Sequence, residues 1–331
     1  MLNLLRLIRL PNLLIMAFTQ YMVRWCVLIP VLELKKHDLD FSLLEPQMTE
    51  LHFFLLVLST VLIGAAGYII NDYFDVRIDE VNRPSTNLVG KLIKRRVAMA
   101  LHTAFNVIGV GLGLFLAWKY GIFRLGAFVY ITAPALLWFY STSLKRQFLI
   151  GNVVIALLSG IVPFVVILFE IPNIYKAFPE LVQAGYLSLS DVLRVTTALS
   201  LFAFVISLLR EIIKDTEDYE GDLAYGCKTM PIVLGIAPSK WIMAAVCAAV
   251  IAGLGWLQTG QMDASDWTSF AYFTILLQFP LIYLGYRILT AKGKSDWRFA
   301  SLLVKIIMVA GISYLFLYAH DIHELINSDV S

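Results

Sequence analysis

Two groups of aspartates with the same spacing are the most chemically informative residues of this chain. They are Asp72, Asp75 and Asp79 in the first group and Asp215, Asp218 and Asp222 in the second. Positions i, i+3 and i+7 fall on one narrow face of an α-helix, so each group is predicted to project three carboxylates into a common space. Such carboxylates repel one another unless a cation lies among them, and Mg²⁺ prefers oxygen ligands of this kind. The spacing therefore predicts one shared site for a metal and a diphosphate.

The composition places these charges beside a membrane. Of 331 residues, 59% are hydrophobic and 15% are charged, and the mean hydropathy is +0.77. These values are typical of a polytopic membrane protein, and several apolar runs reach the roughly 20 residues that span a bilayer. We predict an all-α membrane bundle of about nine transmembrane helices, formed by a single domain over residues 1–331. The predicted spans are 10–32, 53–70, 97–118, 125–140, 149–169, 193–213, 241–257, 270–289 and 299–320.

The distribution of lysine and arginine predicts the orientation. Most of the 26 basic residues lie at the amino terminus or in the loops after spans two, four, six and eight. The opposite side has only Lys35, Lys36, Lys119, Arg124, Lys176 and Arg194. Because basic residues favour the cytoplasm, the amino terminus and both aspartate groups are predicted to face it. We expect an integral protein of a prokaryotic cytoplasmic membrane, with its active site on the cytoplasmic side.

The basic residues Arg24, Arg210 and Lys305 lie inside predicted spans. Ionisable groups at such depth are energetically expensive, so each is a functional candidate unless its side chain reaches the interface. We expect Arg210 to pair with an acidic residue of the neighbouring aspartate motif.

Longer motifs surround both aspartate groups. Residues 67–84 read GYIINDYFDVRIDEVNRP, and residues 210–222 read REIIKDTEDYEGD, followed by Lys228, Thr229 and Pro231. With the segments 9–12, 140–146 and 151–152, this order of motifs closely resembles the UbiA superfamily of intramembrane prenyltransferases. The resemblance extends over most of the chain.

The resemblance implies transfer of an isoprenoid chain from a prenyl diphosphate donor to an acceptor, with Mg²⁺ as the cofactor. The implied metal-site residues are Asn71, Asp72, Asp75, Asp79, Asp215, Asp218 and Asp222, with Asp72 as a residue that orients its neighbours instead. The implied diphosphate-binding residues are Asn71, Arg83, Lys145, Arg146 and Lys228. The implied catalytic residues are Asp75, Asp79, Asp218, Asp222, Tyr140 and Lys145. Tyr68, Tyr73, Tyr140 and Tyr219 are candidates to stabilise an allylic cation through their ring faces.

The motifs leave the acceptor open. The chain is most similar to the branch of digeranylgeranylglyceryl phosphate synthases, which implies a geranylgeranyl donor and geranylgeranylglyceryl phosphate as acceptor. An aromatic acceptor of the 4-hydroxybenzoate or dihydroxynaphthoate type, as in quinone biosynthesis, is the alternative.

Two other classes of membrane protein fit the sequence less well. A CDP-alcohol phosphotransferase would carry a D-G-x-x-A-R signature, which the sequence lacks. A non-enzymatic ion-binding transporter would carry its carboxylates at mid-membrane depth instead of at helix ends. We expect membrane lipids around the protein and no nucleic-acid partner.

Overall fold

Long helices account for most of the structure. The computed structural model describes residues 2–39, 41–82 and 88–328. Within these ranges, nine helices are long and apolar enough to cross a membrane, which confirms the predicted all-α bundle. They are α1 (Leu10–Leu39), α2 (Glu50–Asn82), α3 (Arg95–Lys119), α4 (Phe123–Thr142), α5 (Ile150–Ala177), α6 (Ser190–Glu217), α7 (Ile236–Asp263), α8 (Trp267–Thr290) and α9 (Lys294–Ser328).

Short elements connect or interrupt the nine long helices. The connecting helical segments are Leu2–Leu7, Leu144–Arg146, Pro179–Gln183, Tyr219–Ala224 and Met230–Leu234. The segment Leu144–Arg146 is a 3₁₀-helix. Helix α1 contains a π-helical stretch over Arg24–Leu28, and α8 contains another over Phe273–Gln278. An isolated β-bridge joins Val89 to Ile93.

Helix α2 is longer than a bilayer is thick, and this length positions the first aspartate group. Its 33 residues extend about 50 Å at 1.5 Å per residue, whereas the hydrocarbon core measures about 30 Å. Asp72, Asp75 and Asp79 all lie in its last four turns. The first group is therefore carried by one continuous helix, as predicted.

The second aspartate group has a different backbone despite its equal spacing. Helix α6 ends at Glu217, and Asp218, with φ −94° and ψ 11°, joins it to the short helix Tyr219–Ala224. Asp215 and Asp222 therefore lie on separate helices, and the prediction of one helical face is wrong for this group. The break at Asp218 turns the chain back toward the end of α2, which the short helix contacts.

Two apolar cores share helices α6 and α9. One core joins α1, α2 and α5 with parts of α6 and α9, and includes Phe53 and Phe169. The other joins α6 and α9 to α7 and α8, and includes Met243 and Trp297. Helices α6 and α9 therefore connect the two halves of the bundle.

A buried ion-pair network lies at the end of the bundle away from the aspartates. Arg24 in α1 is 2% exposed and pairs with Glu170 of α5, which is fully buried. Arg24 also donates to Glu50 Oε1 at 2.9 Å and to the Met48 carbonyl at 2.7 Å. The backbone N–H of Gln47 donates to Glu170 Oε2 at 2.8 Å. The network attaches the loop before α2 to α1 and α5, so Arg24 has a structural role.

Replacing Arg24→Met should lower the free energy of unfolding by about 3 to 5 kcal/mol, because Glu170 would remain as a buried charge without its partner. Thermal unfolding in detergent measures this change, and Arg24→Met combined with Glu170→Met should recover most of it. Lys35→Met is the control, since it removes only a surface pair with Asp38. An unchanged unfolding temperature in Arg24→Met would contradict the structural role.

Candidate active site

Both aspartate groups contribute to one polar pocket of about 70 Å³. The pocket lies between the end of α2, the 3₁₀-helix after α4, and the junction that follows α6. Its acidic lining residues, among those the structure describes, are Asp75, Asp79, Glu211, Asp215, Asp218 and Asp222. Its basic lining residues are Arg9, Lys145, Arg146 and Lys214. The predicted convergence of the two aspartate groups is present in the structure, and we call this space the acidic pocket.

Most of the predicted site residues line the acidic pocket, and two of those that the structure describes do not. Asn71, Tyr140, Lys145 and Arg146 line it together with five of the six motif aspartates. Asp72 and Lys228 are not among the lining residues. Lys228 is exposed, and its backbone N–H donates to the carbonyl of Arg146 at 2.8 Å. Arg83 lies outside the described residues, so its predicted contact with diphosphate remains a prediction.

Asp72 is held by an arginine from the start of the chain. Arg9, which immediately precedes α1, donates from Nη2 to Asp72 Oδ1 at 2.9 Å. On a helix, Asp72 and Asp75 differ by about 60° in direction, and this separation places Asp72 on the flank of α2 that faces Arg9. Arg9 itself lines the acidic pocket. Asp72 is therefore held by a residue of the pocket lining without being part of that lining, and its role in orienting its neighbours stays a prediction.

Lys145 supplies a positive charge to the α2 side of the pocket. Its ammonium group donates to Asn71 Oδ1 at 3.2 Å and forms an ion pair with Asp75. Both partners are only slightly exposed, at 11% for Lys145 and 15% for Asp75. The short 3₁₀-helix after α4 thus delivers a cation to the oxygens that the sequence predicts to be metal ligands.

Two asparagines fix the second aspartate group and were not predicted as site residues. Asn152, near the start of α5, donates to Asp215 Oδ2 at 2.7 Å. Asn82, the last residue of α2, accepts the backbone N–H of Gly221 at 2.9 Å, and a Cβ on Gly221 would overlap the Asn82 amide. A small residue at 221 therefore allows the two aspartate segments to meet. Asn82 and Gly221 both fall within the quoted motifs, but no spacing rule pairs residues 139 positions apart.

The acidic pocket provides oxygen ligands suited to Mg²⁺. Within the described ranges, no group of three acidic, histidine or cysteine side chains is arranged to hold a metal ion directly. Mg²⁺ commonly uses one or two carboxylates and completes its shell with water and substrate phosphates. The Lys145 ammonium on Asn71 and Asp75 shows that a cation is accommodated at these oxygens. The residues fit a metal that reaches the protein largely through water and phosphate oxygens.

A larger, mostly apolar cavity of about 230 Å³ adjoins the acidic pocket inside the bundle. Its apolar lining includes Leu137, Ile155, Phe202, Met308 and Ile312. The residues that line both spaces are Arg9, Asn71, Tyr140, Glu211 and Lys214. The two spaces therefore adjoin across these residues, with a polar space among the carboxylates and an apolar space among the spanning helices.

Two of the four tyrosines proposed as cation stabilisers line this cavity. Tyr140 lies at the boundary of the two spaces, and Tyr68 lines the apolar cavity. Tyr73 instead packs under Arg95, with 4.5 Å from the guanidinium carbon to the ring centre. Tyr219 is not among the lining residues of either space. Of the four tyrosines predicted to stabilise an allylic cation, only Tyr68 and Tyr140 therefore lie where such a cation could form.

Arg210 pairs with its sequence neighbour and not with a motif aspartate. Its Nη1 donates to Glu211 Oε1 at 3.2 Å, and Lys214 donates to both oxygens of Glu211 at 3.0 and 2.9 Å. Arg210 does pair with an acidic residue of the segment 210–222, as expected, but this residue is Glu211 and not one of the three aspartates. The aspartates of the pocket are left to other partners.

Cys227 also lines the acidic pocket and is 5% exposed. Burial, together with the negative charge of Asp222, raises the pKa of its thiol to about 11. The thiolate is the nucleophile in alkylation. Cys227 is therefore expected to react slowly as a nucleophile near neutral pH.

Comparisons with known proteins agree with the motifs. A model of the UbiA prenyltransferase family matches residues 41–310. Digeranylgeranylglyceryl phosphate synthase of Thermococcus kodakarensis is 30% identical over 282 residues, which cover 81% of this chain and 86% of the relative. The synthase of the same name from Thermococcus sibiricus is 36% identical over 201 residues. That match spans 60% of this chain and 61% of the relative's length.

Solved structures share the fold. A chain from a structural study of digeranylgeranylglyceryl phosphate synthase in membranes aligns with a TM-score of 0.57 at 21% identity, covering 94% of this chain and 96% of that one. A UbiA homologue from Archaeoglobus fulgidus, bound to DMAPP and Mg²⁺, aligns with a TM-score of 0.55 at 16% identity, covering 95% and 99%. At these identities the likeness concerns the fold.

Gly221→Ala should lower the unfolding temperature, because the added methyl group overlaps the buried Asn82 amide and overpacking of this kind costs about 1 to 3 kcal/mol. Gly253→Ala is the matched control, since a Cβ there meets open space. Circular dichroism during heating in detergent measures both. Combining Gly221→Ala with Asn82→Ala should remove the clash, and equal losses in the single and double variants would contradict this contact.

Alkylation of Cys227 by N-ethylmaleimide should be slow at pH 8 and should accelerate about tenfold per pH unit up to its pKa near 11. The reason is that a raised thiol pKa leaves little thiolate below that pH. Peptide mapping by mass spectrometry separates Cys227 from Cys26 and Cys247. A rate at pH 8 equal to that of a free cysteine peptide would contradict a suppressed thiol.

Proposed function

The chain belongs to the UbiA prenyltransferase family, and from this membership we propose that it transfers a prenyl group from an allylic diphosphate to a membrane-associated acceptor. The proposed donor is geranylgeranyl diphosphate and the proposed acceptor is geranylgeranylglyceryl phosphate. Relatives named digeranylgeranylglyceryl phosphate synthase support this pair of substrates. An aromatic acceptor remains the alternative.

The observation that carries the proposal is that the acidic pocket adjoins the apolar cavity and shares five lining residues with it. A prenyl diphosphate has a highly charged head and a long apolar tail, and the two spaces match these parts in order. Tyr140 lies where the head would join the tail, at the bond that must break. The spanning helices around the cavity would exclude water from an allylic cation and so limit its hydrolysis.

The charged residues have distinct roles in this proposal. Mg²⁺ would neutralise charge on the diphosphate when held among Asn71, Asp75, Asp79, Asp215, Asp218 and Asp222. The Archaeoglobus fulgidus homologue with bound Mg²⁺ supports this role. Lys145 and Arg146 line the same pocket and would donate hydrogen bonds to diphosphate oxygens. Arg9 keeps Asp72 in place, and Asn152 and Asn82 fix the second aspartate segment.

The proposed reaction replaces one carbon–oxygen bond with another. The bond between C1 of the prenyl chain and its diphosphate oxygen breaks, and the diphosphate leaves with the bonding electrons. The hydroxyl oxygen of the acceptor forms a new bond to C1 and loses its proton to a carboxylate of the pocket. Charge develops on the departing diphosphate, and this is where the cations of the acidic pocket lie.

We place the acidic pocket on the cytoplasmic side of a prokaryotic cytoplasmic membrane, with the amino terminus on that side. The distribution of lysine and arginine supports this orientation. The relatives from Thermococcus species support the membrane assigned. In this proposal residues 1–331 act as one domain.

Asp75→Asn and Asp218→Asn should each reduce Mg²⁺-dependent diphosphate release by at least about 100-fold, because each removes a negative charge that would hold the metal, and the metal would balance the charge of the leaving diphosphate. Release of diphosphate from geranylgeranyl diphosphate, measured with acceptor present and with Mg²⁺ or EDTA, tests this. Asp263→Asn is the control, since Asp263 is exposed at the far end of α7. Near-normal release in both pocket variants, with unchanged unfolding temperatures, would remove the metal assignment.

A further inference from the structure

Lys305 is a cation inside the bundle that the proposed chemistry does not use. It lies in α9, is half-buried, and lines the apolar cavity. Within the described residues, the structure gives its ammonium group no hydrogen-bond or ion-pair partner. It lines this cavity together with Arg210, Lys214 and Arg9, all of which are positive. A half-buried ammonium that shares a cavity with other cations is unfavourable until an anion joins it.

Arg210 is the second incompletely satisfied cation of this region. Glu211 accepts hydrogen bonds from both Arg210 and Lys214, so a single carboxylate serves two cations. The Nε–H of Arg210 is buried and lacks a hydrogen-bond partner among the described residues. The cavity is lined by the four cations Arg9, Arg210, Lys214 and Lys305 and, in the described part of the chain, by Glu211 as its one carboxylate. Arg9 is paired with Asp72, so among the described lining residues Arg210, Lys214 and Lys305 share the single carboxylate of Glu211 and leave an excess of positive charge on this wall of the cavity.

Helices α6 and α9 bring Arg210 and Lys305 to the same depth. The start of α9 meets the end of α6, where Arg298 donates to Glu217 at 3.0 Å. From this contact the two helices run in opposite directions. Arg210 and Lys305 each lie seven residues further into the bundle from that ion pair. Seven residues are nearly two helical turns. Arg210 therefore shares a face of α6 with Glu217, and Lys305 shares a face of α9 with Arg298, each roughly 10 Å deeper in the bundle.

Close packing of α6 on α9 keeps the two cations together. Further into the bundle, Gly311 of α9 faces Phe202 of α6, and a Cβ on Gly311 would overlap the phenyl ring. The helices are thus held near one another on both sides of Arg210 and Lys305, by an ion pair at one level and a glycine contact at the other.

We propose that Arg210 and Lys305 bind the phosphate monoester of the acceptor, which deepens the proposed function and rests on it. A phosphate monoester carries a charge of about −1.5 to −2 at pH 7, which matches two cations, whereas a carboxylate such as 4-hydroxybenzoate carries one. Arginine and lysine donors to phosphate form strong charge-assisted hydrogen bonds. The acidic pocket takes the diphosphate with its metal, and the cationic end takes the second anion.

The spacing along α6 suits a glycerol phosphate. Arg210 precedes Asp215 by five residues, roughly 7 Å along the helix axis. That distance is on the scale of the glycerol carbons between a phosphate and a hydroxyl, plus the new bond to the prenyl carbon. An acceptor anchored at Arg210 and Lys305 would direct its hydroxyl toward the acidic pocket while its own prenyl chain enters the apolar cavity.

Binding of two lipids that differ only in phosphate tests this proposal. The protein in phosphatidylcholine nanodiscs is titrated with geranylgeranylglyceryl phosphate and with geranylgeranylglycerol, without donor and without Mg²⁺. Wild-type protein should bind the phosphate ester at least about tenfold more tightly than the alcohol. Lys305→Met and Arg210→Met should bring this ratio close to one with little change in affinity for the alcohol, and Lys305→Arg should preserve it. Lys119→Met, at an exposed lysine, is the matched control.

The design separates failure of this proposal from failure of the proposed function. A wild-type ratio near one, or an undiminished ratio in both methionine variants, would overturn the phosphate site. Tighter binding of 4-hydroxybenzoate than of the phosphate ester at the same two cations would also overturn it. Selective binding of the phosphate ester without any prenylated product would support the site and remove the enzymatic proposal instead. Loss of alcohol binding together with ester binding in both methionine variants would show a packing role and overturn the phosphate role.

Discussion

Electrostatic repulsion among carboxylates is the constraint that the rest of this site satisfies. Six acidic side chains line the acidic pocket within the described residues, at the end of a bundle that is otherwise strongly apolar. The fold counters this repulsion locally. Lys145 pairs with Asp75, Lys214 with Glu211, and Asn152 donates to Asp215. A divalent cation held among these carboxylates would lower their repulsion further and would attract a diphosphate, which gives a reason for so much acidic charge beside a membrane.

The same constraint explains why polar and apolar functions occupy adjoining spaces. Ionised side chains have a low free-energy cost only near the membrane–water interface. The aspartates accordingly follow the spanning portions of α2 and α6. The prenyl tail requires the opposite environment, and the apolar cavity provides it among the same helices. Tyr140, Glu211 and Lys214 line both spaces and therefore lie where a charged head and an apolar tail would meet. Arg210 and Lys305 are charged residues that lie deeper in the cavity, where the phosphate of the acceptor would balance them in the proposed site.

Sequence reasoning predicted those parts of the structure that depend on local pattern. The nine spans follow from apolar length, and the helical face of Asp75 and Asp79 follows from spacing within a continuous helix. It was wrong where a backbone break intervenes, because equal spacing at Asp215 and Asp222 conceals the change of direction at Asp218. It did not identify Arg9 with Asp72, Arg24 with Glu170, or Asn82 with Gly221. Those contacts join distant segments, and their partners are chosen by helix packing instead of by any local signal.

The central claim is that one site, formed by the acidic pocket and the adjoining apolar cavity, holds a prenyl diphosphate by both ends and transfers its chain to a phosphate-bearing acceptor. Its most direct measurement is the mass of the product formed by purified protein with geranylgeranyl diphosphate, Mg²⁺ and a panel of acceptors. The panel contains geranylgeranylglyceryl phosphate, 4-hydroxybenzoate and dihydroxynaphthoate. The account predicts a product with the mass of digeranylgeranylglyceryl phosphate that forms with Mg²⁺ and not with EDTA. A prenylated aromatic product would contradict the acceptor, and no product with any donor length or acceptor would contradict the central claim itself.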